Sequence, residues 1–230
     1  MRSKADKMHT MVKPSKTRIF PSKSGTSRGA ADFSASTDTT PVPQLNLADH
    51  FLIAMPSMLD PLFGGTVVYL CEHNAEGALG VIINKPTDMT LDVLFERIDL
   101  KLEIAPDRAF DKKPVMLGGP VQVERGFVLH APHGNYSSMM RVSDEVALTT
   151  SKDVLEEVAV GRGPERLLVS LGCSGWSAGQ LEEELVRNGW LTVRADPAVI
   201  FDTPVEERFA AAMKLLGIDP MMLTGDAGHA

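Results

Sequence analysis

The segment Gly172-Cys-Ser-Gly-Trp176 places a thiol where the sequence predicts the end of a strand and the approach to a helix. A turn there would direct free backbone N–H groups and the positive end of the helix dipole towards Cys173. Such surroundings bind anions and lower the pKa of a nearby thiol. Two interpretations stay open: Cys173 is a reactive thiolate, or Gly172 and Gly175 only permit a tight turn while Trp176 packs in the core. A nucleophile elbow is excluded, because G-x-S-x-G requires glycine where Trp176 stands.

A second polar segment, Cys71-Glu-His-Asn74, follows an apolar run. Strand alternation places Cys71 and His73 on one face and Glu72 on the other. Glu72 and His73 could then do acid–base chemistry only with partners that the fold supplies, for instance His130 from another strand. The alternative is that His73 and Asn74 hydrogen-bond the adjoining hairpin turn.

Further candidates stand at predicted strand exits and turns. Asn84 and Lys85 precede Pro86, and Lys85 could meet an anion or lie in solvent. Arg125 follows a Gly-Gly-Pro turn, where it could face a ligand or form a salt bridge. With the residues above, the candidate ligand-binding set is Glu72, His73, Asn74, Asn84, Lys85, Gly118, Gly119, Arg125, His130, Gly172, Cys173, Gly175, Trp176 and Gln180.

The histidines do not predict a metal centre. His130 and His133 are three residues apart, but Pro132 lies between them and no Cys or carboxylate follows at metal-ligand spacing. We therefore expect no metal and no cofactor.

Buried strands must position these residues. The apolar runs at 50–55, 66–71 and 78–83 carry β-branched residues on both faces, which predicts strands buried on both sides. Asn74-Ala-Glu-Gly77 is typical of a type I turn, so the second and third runs are predicted to form an antiparallel hairpin. Further strands are predicted at 114–117, 126–130, 145–148, 166–171 and 191–193.

Four helices are predicted between the strands. They cover 91–98, a segment capped by Ser151, 178–187 with a Ser177–Gln180 capping box, and a last helix that opens at Pro204 and ends at Gly217. The Glu182–Glu184 run is predicted to be a solvated helix face. Hairpins mixed with single strand–helix units favour one α+β domain over a doubly wound parallel sheet.

Composition divides the 230-residue chain in two. Residues 1–44 are rich in Ser, Thr, Lys and Pro and hold eight Lys and Arg against three Asp, a formal charge of +5. They are predicted to be a disordered basic tail that could bind nucleic acid without sequence preference. Residues 45–230 hold 15 basic and 27 acidic residues, a charge of −12. From this acidic domain we expect no specific nucleic-acid binding.

The remaining bulk properties concern location. Apolar runs are too short for a membrane helix, the N-terminus lacks the apolar core of a secretory signal, and the two cysteines lie far apart. A reducing, cytoplasmic setting without membrane contact is therefore expected. The sequence does not set the oligomeric state.

Several stretches together resemble the AlgH/YqgE family of bacterial proteins, from about residue 45 to the C-terminus. They are Phe51-Leu-Ile-Ala-Met-Pro56 with Asp60-Pro61, Thr66-Val-Val-Tyr-Leu-Cys-Glu-His-Asn74, Gly80-Val-Ile-Ile-Asn-Lys-Pro86, Gly118-Gly-Pro120, Arg125-Gly-Phe-Val-Leu-His130, Gly179-Gln-Leu-Glu182 and Ala227-Gly-His-Ala230. The resemblance implies a cytosolic α+β protein with a bifurcated or barrel-like sheet ringed by helices and no assigned biochemical role. Some members are named transcriptional regulators, although no helix-turn-helix or zinc-finger pattern occurs here. Cys173 departs from the family pattern, which has Tyr at that position.

Three functional hypotheses follow. The first is a non-enzymatic regulatory or accessory protein that binds a small ligand or a protein. The second is an enzyme or thiol redox sensor that uses Cys173. The third is nucleic-acid binding through the tail. Clustering of Asn84, Arg125, His130 and Gly172 in one cleft would support a ligand site, whereas scattering would favour a scaffold role.

Overall fold

The computed structural model describes residues 45–103 and 112–218, and these form ten strands and five α-helices. The strands are β1 (His50–Ala54), β2 (Val67–Asn74), β3 (Gly77–Ile82), β4 (Pro86–Thr90), β5 (Pro114–Leu117), β6 (Val121–Ala131), β7 (Met139–Arg141), β8 (Ala147–Thr149), β9 (Arg166–Ser177) and β10 (Trp190–Arg194). The helices are α1 (Leu91–Arg97), α2 (Asp153–Ala159), α3 (Gln180–Val186), α4 (Pro197–Phe201) and α5 (Arg208–Leu215). The predicted disordered tail and the Ala227–Ala230 motif lie outside the described residues.

The β2–β3 hairpin forms as predicted, with the two strands antiparallel and Asn74 paired with Gly77. The Asn74 side chain accepts a hydrogen bond from the Glu76 backbone N–H at 2.8 Å, as an Asx turn requires. Gly77 has a φ of 136°, a conformation that favours glycine.

One path of strands runs through most of the sheet, in the order β10-β1-β2-β3-β9-β6-β8-β7. The sheet branches at β9, since β5 also pairs with β9, in parallel, and β4 pairs with β5. The other neighbouring strands pair antiparallel. The predicted α+β class is thereby confirmed.

The core has three parts because the long strands bury both faces. On β2, Tyr69 packs in the largest cluster, with α4 and α5, whereas Val68 and Leu70 pack on the opposite face with α3. A third cluster joins α1 and α2 to β5 and β9. None of the helices in residues 45–103 and 112–218 combines the length and hydropathy that a membrane crossing requires.

The glycine-rich turn predicted after residue 171 is wrong. Strand β9 continues to Ser177, and α3 begins only at Gln180, two residues later than predicted. Gly172, at a φ of 73°, bends the strand without ending it. Residues before this bend pair with β5 and β6, Cys173 just after it still pairs with β6, and residues 174–177 pair with β3.

Other differences are shorter elements that sequence patterns did not indicate. Strands β4 and β7 and helix α4 were not predicted, and a 3-10 turn (Val205–Glu207) precedes α5 after Pro204. The end of the last helix agrees with its signal, since Gly217 follows at a φ of 71°.

Candidate functional site

The Gly118-Gly119 segment is a backbone packing site. A Cβ on Gly118 would lie 2.2 Å from the Gly172 carbonyl oxygen, and a Cβ on Gly119 would lie 2.4 Å from the Cys173 backbone. The Gly118 N–H donates to Leu171 O at 2.9 Å, so it is not free to hold an anion. These glycines are needed because two backbones approach closely, which is the structural alternative to a ligand role.

Cys173 is a core residue of β9 and not a thiol at a helix start. It is 1% exposed and pairs with Val121 of β6. Burial raises the pKa of Cys173 to about 11, and the charge of Arg125 only partly opposes this rise. The turn and the helix dipole that motivated the hypothesis of a Cys173 thiolate are both missing at this position, so the structure gives that hypothesis no support. Gly175, also proposed for that site, is a paired strand residue opposite Leu79.

Trp176 and Gln180 belong to a polar group that we term the Glu184 cluster: Trp176, Gln180, Glu184 and Trp190. The carboxylate of Glu184 accepts hydrogen bonds from both indole N–H groups, at 2.9 Å from Trp176 and 2.8 Å from Trp190, and from the Gln180 amide at 3.0 Å. The two indoles are buried and lie edge to face. The cluster holds α3 against the sheet, so Trp176 and Gln180 have structural partners.

The predicted solvated face at 182–184 holds for Glu183, which is exposed and pairs with Arg187, and in part for Glu182, whose side chain is 42% exposed. Glu182 contacts His73, and Glu184 holds the two indoles. The Gln180 side chain does accept from the Ser177 N–H at 3.1 Å, as the capping box predicts. The Ser177 hydroxyl, however, donates to Gln180 and caps no backbone group.

His73 is buried, and both of its ring nitrogens are bonded. Nδ1 accepts from the Leu47 N–H at 3.0 Å, which leaves Nε2 to donate to Glu182 at 2.9 Å. The His73 ring thus links the chain before β1 to α3. Neither His130 nor Glu72 takes part, so the suggested acid–base group with His130 is wrong.

A β-bulge explains why His73 faces α3. Leu70 pairs with Gly80 and Glu72 with Leu79, so Cys71 is an extra residue on β2. The bulge shifts the alternation by one position, and His73 shares the face of Leu70, not that of Cys71 as predicted. Glu72 accepts from the Asn74 side chain at 2.9 Å at the end of the hairpin.

Asn84 and Lys85 fasten the loop between β1 and β2. Asn84 accepts from the Val67 N–H at 2.8 Å and donates to Gly65 O at 2.9 Å. The Lys85 ammonium donates to the carbonyls of Pro61 and Leu62 at 3.1 and 2.9 Å. The two side chains stabilise a loop, and Lys85 is not the solvated lysine of the alternative prediction.

Arg125 and His130 lie apart on β6. Arg125 is exposed and donates to Thr150 Oγ1 at 2.8 Å, so it makes a hydrogen bond and not a salt bridge. His130 is fully buried, with Nε2 2.8 Å from Thr149 Oγ1, and burial lowers the pKa of His130. Within the described ranges, no group of three or more His, Cys, Asp or Glu side chains could hold a metal ion.

The sequence-predicted candidates therefore do not meet in one cleft. Of this set, Arg125 lines an open depression of about 540 Å³, together with Pro120, Gln122, Val123 and Glu124 of the same chain segment. Asn84, His130 and Gly172 line neither this depression nor the cavity described next.

A more enclosed cavity, of about 240 Å³, lies between β5, β9 and the segment that joins α4 to α5. We term it the Arg208 cavity. Its lining combines apolar residues with a few polar and charged side chains. The lining residues are Leu91, Lys113, Pro114, Met116, Leu167, Leu168, Val169, Phe201, Asp202, Thr203, Pro204, Val205 and Arg208.

Sequence reasoning did not select any residue of this cavity as a ligand candidate. One signal was present: Arg208 stands one turn before Ala212, on the apolar stripe of the last helix. A lone cation on such a stripe predicts a buried charge that needs a partner. Lys113 comes from a distant segment, and its approach to Arg208 had no sequence signal.

Comparisons with known proteins cover nearly all of the described chain. The AlgH-like family (DUF179) matches residues 51–221. A UPF0301 protein of Ralstonia nicotianae is 62% identical over 191 residues, which are 83% of this chain and 99% of the relative. A UPF0301 protein of Cupriavidus metallidurans is 63% identical over 186 residues, which are 81% and 96% of the two chains.

Solved structures give the same assignment. The solution structure of the AlgH protein from Pseudomonas aeruginosa matches with a TM-score of 0.65 and 46% identity, and the match covers 87% of this chain and all of that one. A crystal structure of a Corynebacterium diphtheriae protein shares the fold at 17% identity, with a TM-score of 0.60 over 78% of this chain and 91% of that one. None of these four names states a biochemical activity. The resemblance predicted from the sequence motifs is confirmed, and this chain belongs to the AlgH-like (UPF0301) family.

Proposed function

We propose that this protein is a non-enzymatic regulatory or accessory protein that binds a small molecule in the Arg208 cavity. The observation that carries the proposal is the make-up of the cavity: apolar residues of β5 and β9 line it together with a few polar and charged side chains, among them Arg208 and Lys113. Small-molecule sites commonly combine these two features. A cytoplasmic location belongs to the same proposal and is supported by two free, buried thiols.

Enzymatic alternatives have less support. Cys173 is a buried, protonated thiol, and His73 is held between Leu47 and Glu182. Nucleophile, base and orienting group are not assembled at any of the candidate residues that the structure describes. The acidic charge of residues 45–230 also argues against nucleic acid as the ligand of the folded part.

The proposal is tested by screening a panel of metabolites, anionic, neutral and cationic, for thermal stabilisation of the full chain. Compounds that stabilise the protein are then compared between two variants with the same change. Val205→Trp places a large side chain in the lining of the cavity, and Val186→Trp adds the same side chain at an exposed position of α3. Binding should be lost in Val205→Trp and kept in Val186→Trp. A panel without hits, or hits that bind Val205→Trp unchanged, would overturn the proposal.

The basic tail, residues 1–44, carries a separate prediction. Its charge of +5 predicts salt-sensitive nucleic-acid binding without sequence preference. A gel-shift comparison of the full chain with a chain lacking the tail measures it. Binding that survives removal of the tail, or that selects one sequence, would contradict this prediction.

A further inference from the structure

Arg208 is a buried cation whose hydrogen bonds go to neutral acceptors. The residue is 7% exposed at the start of α5. Its Nε donates to Thr203 O at 3.0 Å, and its Nη1 donates to Ile83 O. Among the residues that the structure describes, no carboxylate lies within ion-pair distance of the Arg208 guanidinium.

An arginine this deeply buried ordinarily pairs with an anion. Without a counter-ion, nothing offsets the desolvation penalty of the buried charge, which is on the order of several kcal/mol. Burial lowers the pKa of Arg208 to about 10, with only a small opposing effect from Glu206. The protein therefore carries the desolvation cost of this charge in the absence of a ligand.

A second cation lines the same cavity. Lys113 is half-buried, and its pKa is lowered first by burial and then by the positive charge of Arg208. The two cations thus lie within electrostatic reach of each other. Asp202 opposes the effect on Lys113, but its carboxylate is also paired with Arg166 at 3.4 Å.

The shape and lining of the cavity restrict the anion further. At about 240 Å³ it holds only a small molecule, and the three β9 residues in its lining, Leu167, Leu168 and Val169, are aliphatic. The planar fork of a guanidinium matches the two oxygens of a carboxylate. A doubly charged phosphate would also meet the negative charges of Asp202 and Glu206, which disfavour it relative to a monoanion.

We infer that the Arg208 cavity binds a small monocarboxylate, with Arg208 and Lys113 holding the carboxylate and the apolar lining residues holding its hydrocarbon part. This inference rests on the proposed small-molecule function and narrows it to one chemical class. No catalytic step is involved, so the protein would act as a receptor for the acid.

Matched probes that differ only in charge test the class of ligand. Benzoate with benzamide, and butyrate with butyramide, are titrated into the full chain while amide NMR signals of Thr203 and Val205 are followed. The acids should bind at least about tenfold more tightly than their amides, since only the acids offer a charge-assisted bond to the guanidinium. Phenyl phosphate and inorganic phosphate serve as the competing anions.

Variants assign the binding to these two cations. Arg208→Lys and Lys113→Gln should each weaken benzoate binding about tenfold or more, because each loses a charge-assisted bond. Lys214→Gln, on the exposed side of α5, removes a positive charge away from the cavity and should leave binding unchanged. If Arg208→Lys does not fold, Lys113→Gln alone decides the outcome.

The outcomes separate the two proposals. Amides that bind as tightly as acids, or benzoate binding that Lys113→Gln leaves intact, would overturn the carboxylate assignment while the small-molecule function stands. Tighter binding of phenyl phosphate than of benzoate would assign the cavity to phosphate and also overturn the inference. If no compound of these series or of the wider panel binds, both proposals fall.

Discussion

The Glu184 cluster allows a quantitative test of how α3 is held to the sheet. Glu184→Ala removes the acceptor of two indole N–H groups, on Trp176 and Trp190, that are 7% and 5% exposed. A buried donor that loses its partner costs about 1–3 kcal/mol. Glu184 itself is partly exposed, so water can replace part of the loss, and we take about 1–1.5 kcal/mol, the low end of that range, for each indole. The expected loss in the free energy of unfolding is therefore about 2–3 kcal/mol.

A matched control lies one residue away on the same helix. Glu183→Ala has the same effect on helix propensity but removes only an exposed ion pair with Arg187. Such pairs contribute at most about 0.5 kcal/mol. Glu184→Gln should fall between the two variants, because its amide keeps one carbonyl oxygen for the indoles but loses the charge.

Tryptophan fluorescence measures the effect directly, since Trp176 and Trp190 are the two tryptophans of the whole chain. Urea unfolding followed at this signal gives the free energy difference, and for a chain of this size the melting temperature should fall by roughly 4–12 °C. Equal stability of Glu184→Ala and Glu183→Ala, within about 0.5 kcal/mol, would refute the reasoning, because the indole bonds would then contribute nothing.

Three further predictions concern residues first considered as ligand candidates. Gly119→Ala should lower the free energy of unfolding by more than about 3 kcal/mol or prevent folding, since its Cβ would meet the Cys173 backbone at 2.4 Å. The Cβ of the control variant Gly126→Ala enters open space, so that variant should fold normally; equal soluble yields and circular dichroism spectra of the two variants would contradict this. Burial raises the pKa of Cys173 from 9.0 to about 11 on folding, so the folded state retains the proton and the free energy of unfolding should fall as the pH rises from 9 to 11. Cys173→Ala should reduce that fall when unfolding by urea is measured at each pH. An unchanged fall would contradict this prediction. Asn84→Ala should cost about 2 kcal/mol in the same assay because two backbone hydrogen bonds are lost, and a cost below about 0.5 kcal/mol would contradict this.

Local patterns predicted the elements that local physics determines. The hairpin at Asn74–Gly77 follows from an Asx side chain and a glycine three residues apart, and the end of α5 follows from Gly217. The strands buried on both faces follow from runs of apolar residues without alternation. The α+β class follows from the way these elements alternate along the chain.

The errors arose where long-range pairing changes a local rule. An extra residue at Cys71 reversed the faces of β2 and moved His73 towards α3. At Gly172 the chain uses a left-handed residue to bend a strand, whereas a glycine-rich stretch was interpreted as a turn. Neither pairing partner can be identified from the neighbouring residues in sequence.

The candidate site in the structure differs from the one predicted from the sequence for a related reason. Polar residues beside turns were selected, and most of them proved to hydrogen-bond those turns or adjoining loops, as Asn84 and Lys85 do. The Arg208 cavity combines segments near residues 91, 113, 168 and 205, which no local motif joins. Only the unusual position of Arg208 on an apolar stripe gave an early indication.

The position of β9 in the branched sheet has a consequence for synthesis on the ribosome. Strand β3 and the β4–β5 branch both need residues 166–177 as a neighbour. Strand β1 pairs with β10, which is synthesised later still. Until those residues leave the exit tunnel, the earlier strands expose unpaired apolar edges to the cell. We therefore expect nascent chains that stop before residue 166 to recruit chaperones and to be degraded, and the native structure to form late, once translation is nearly complete.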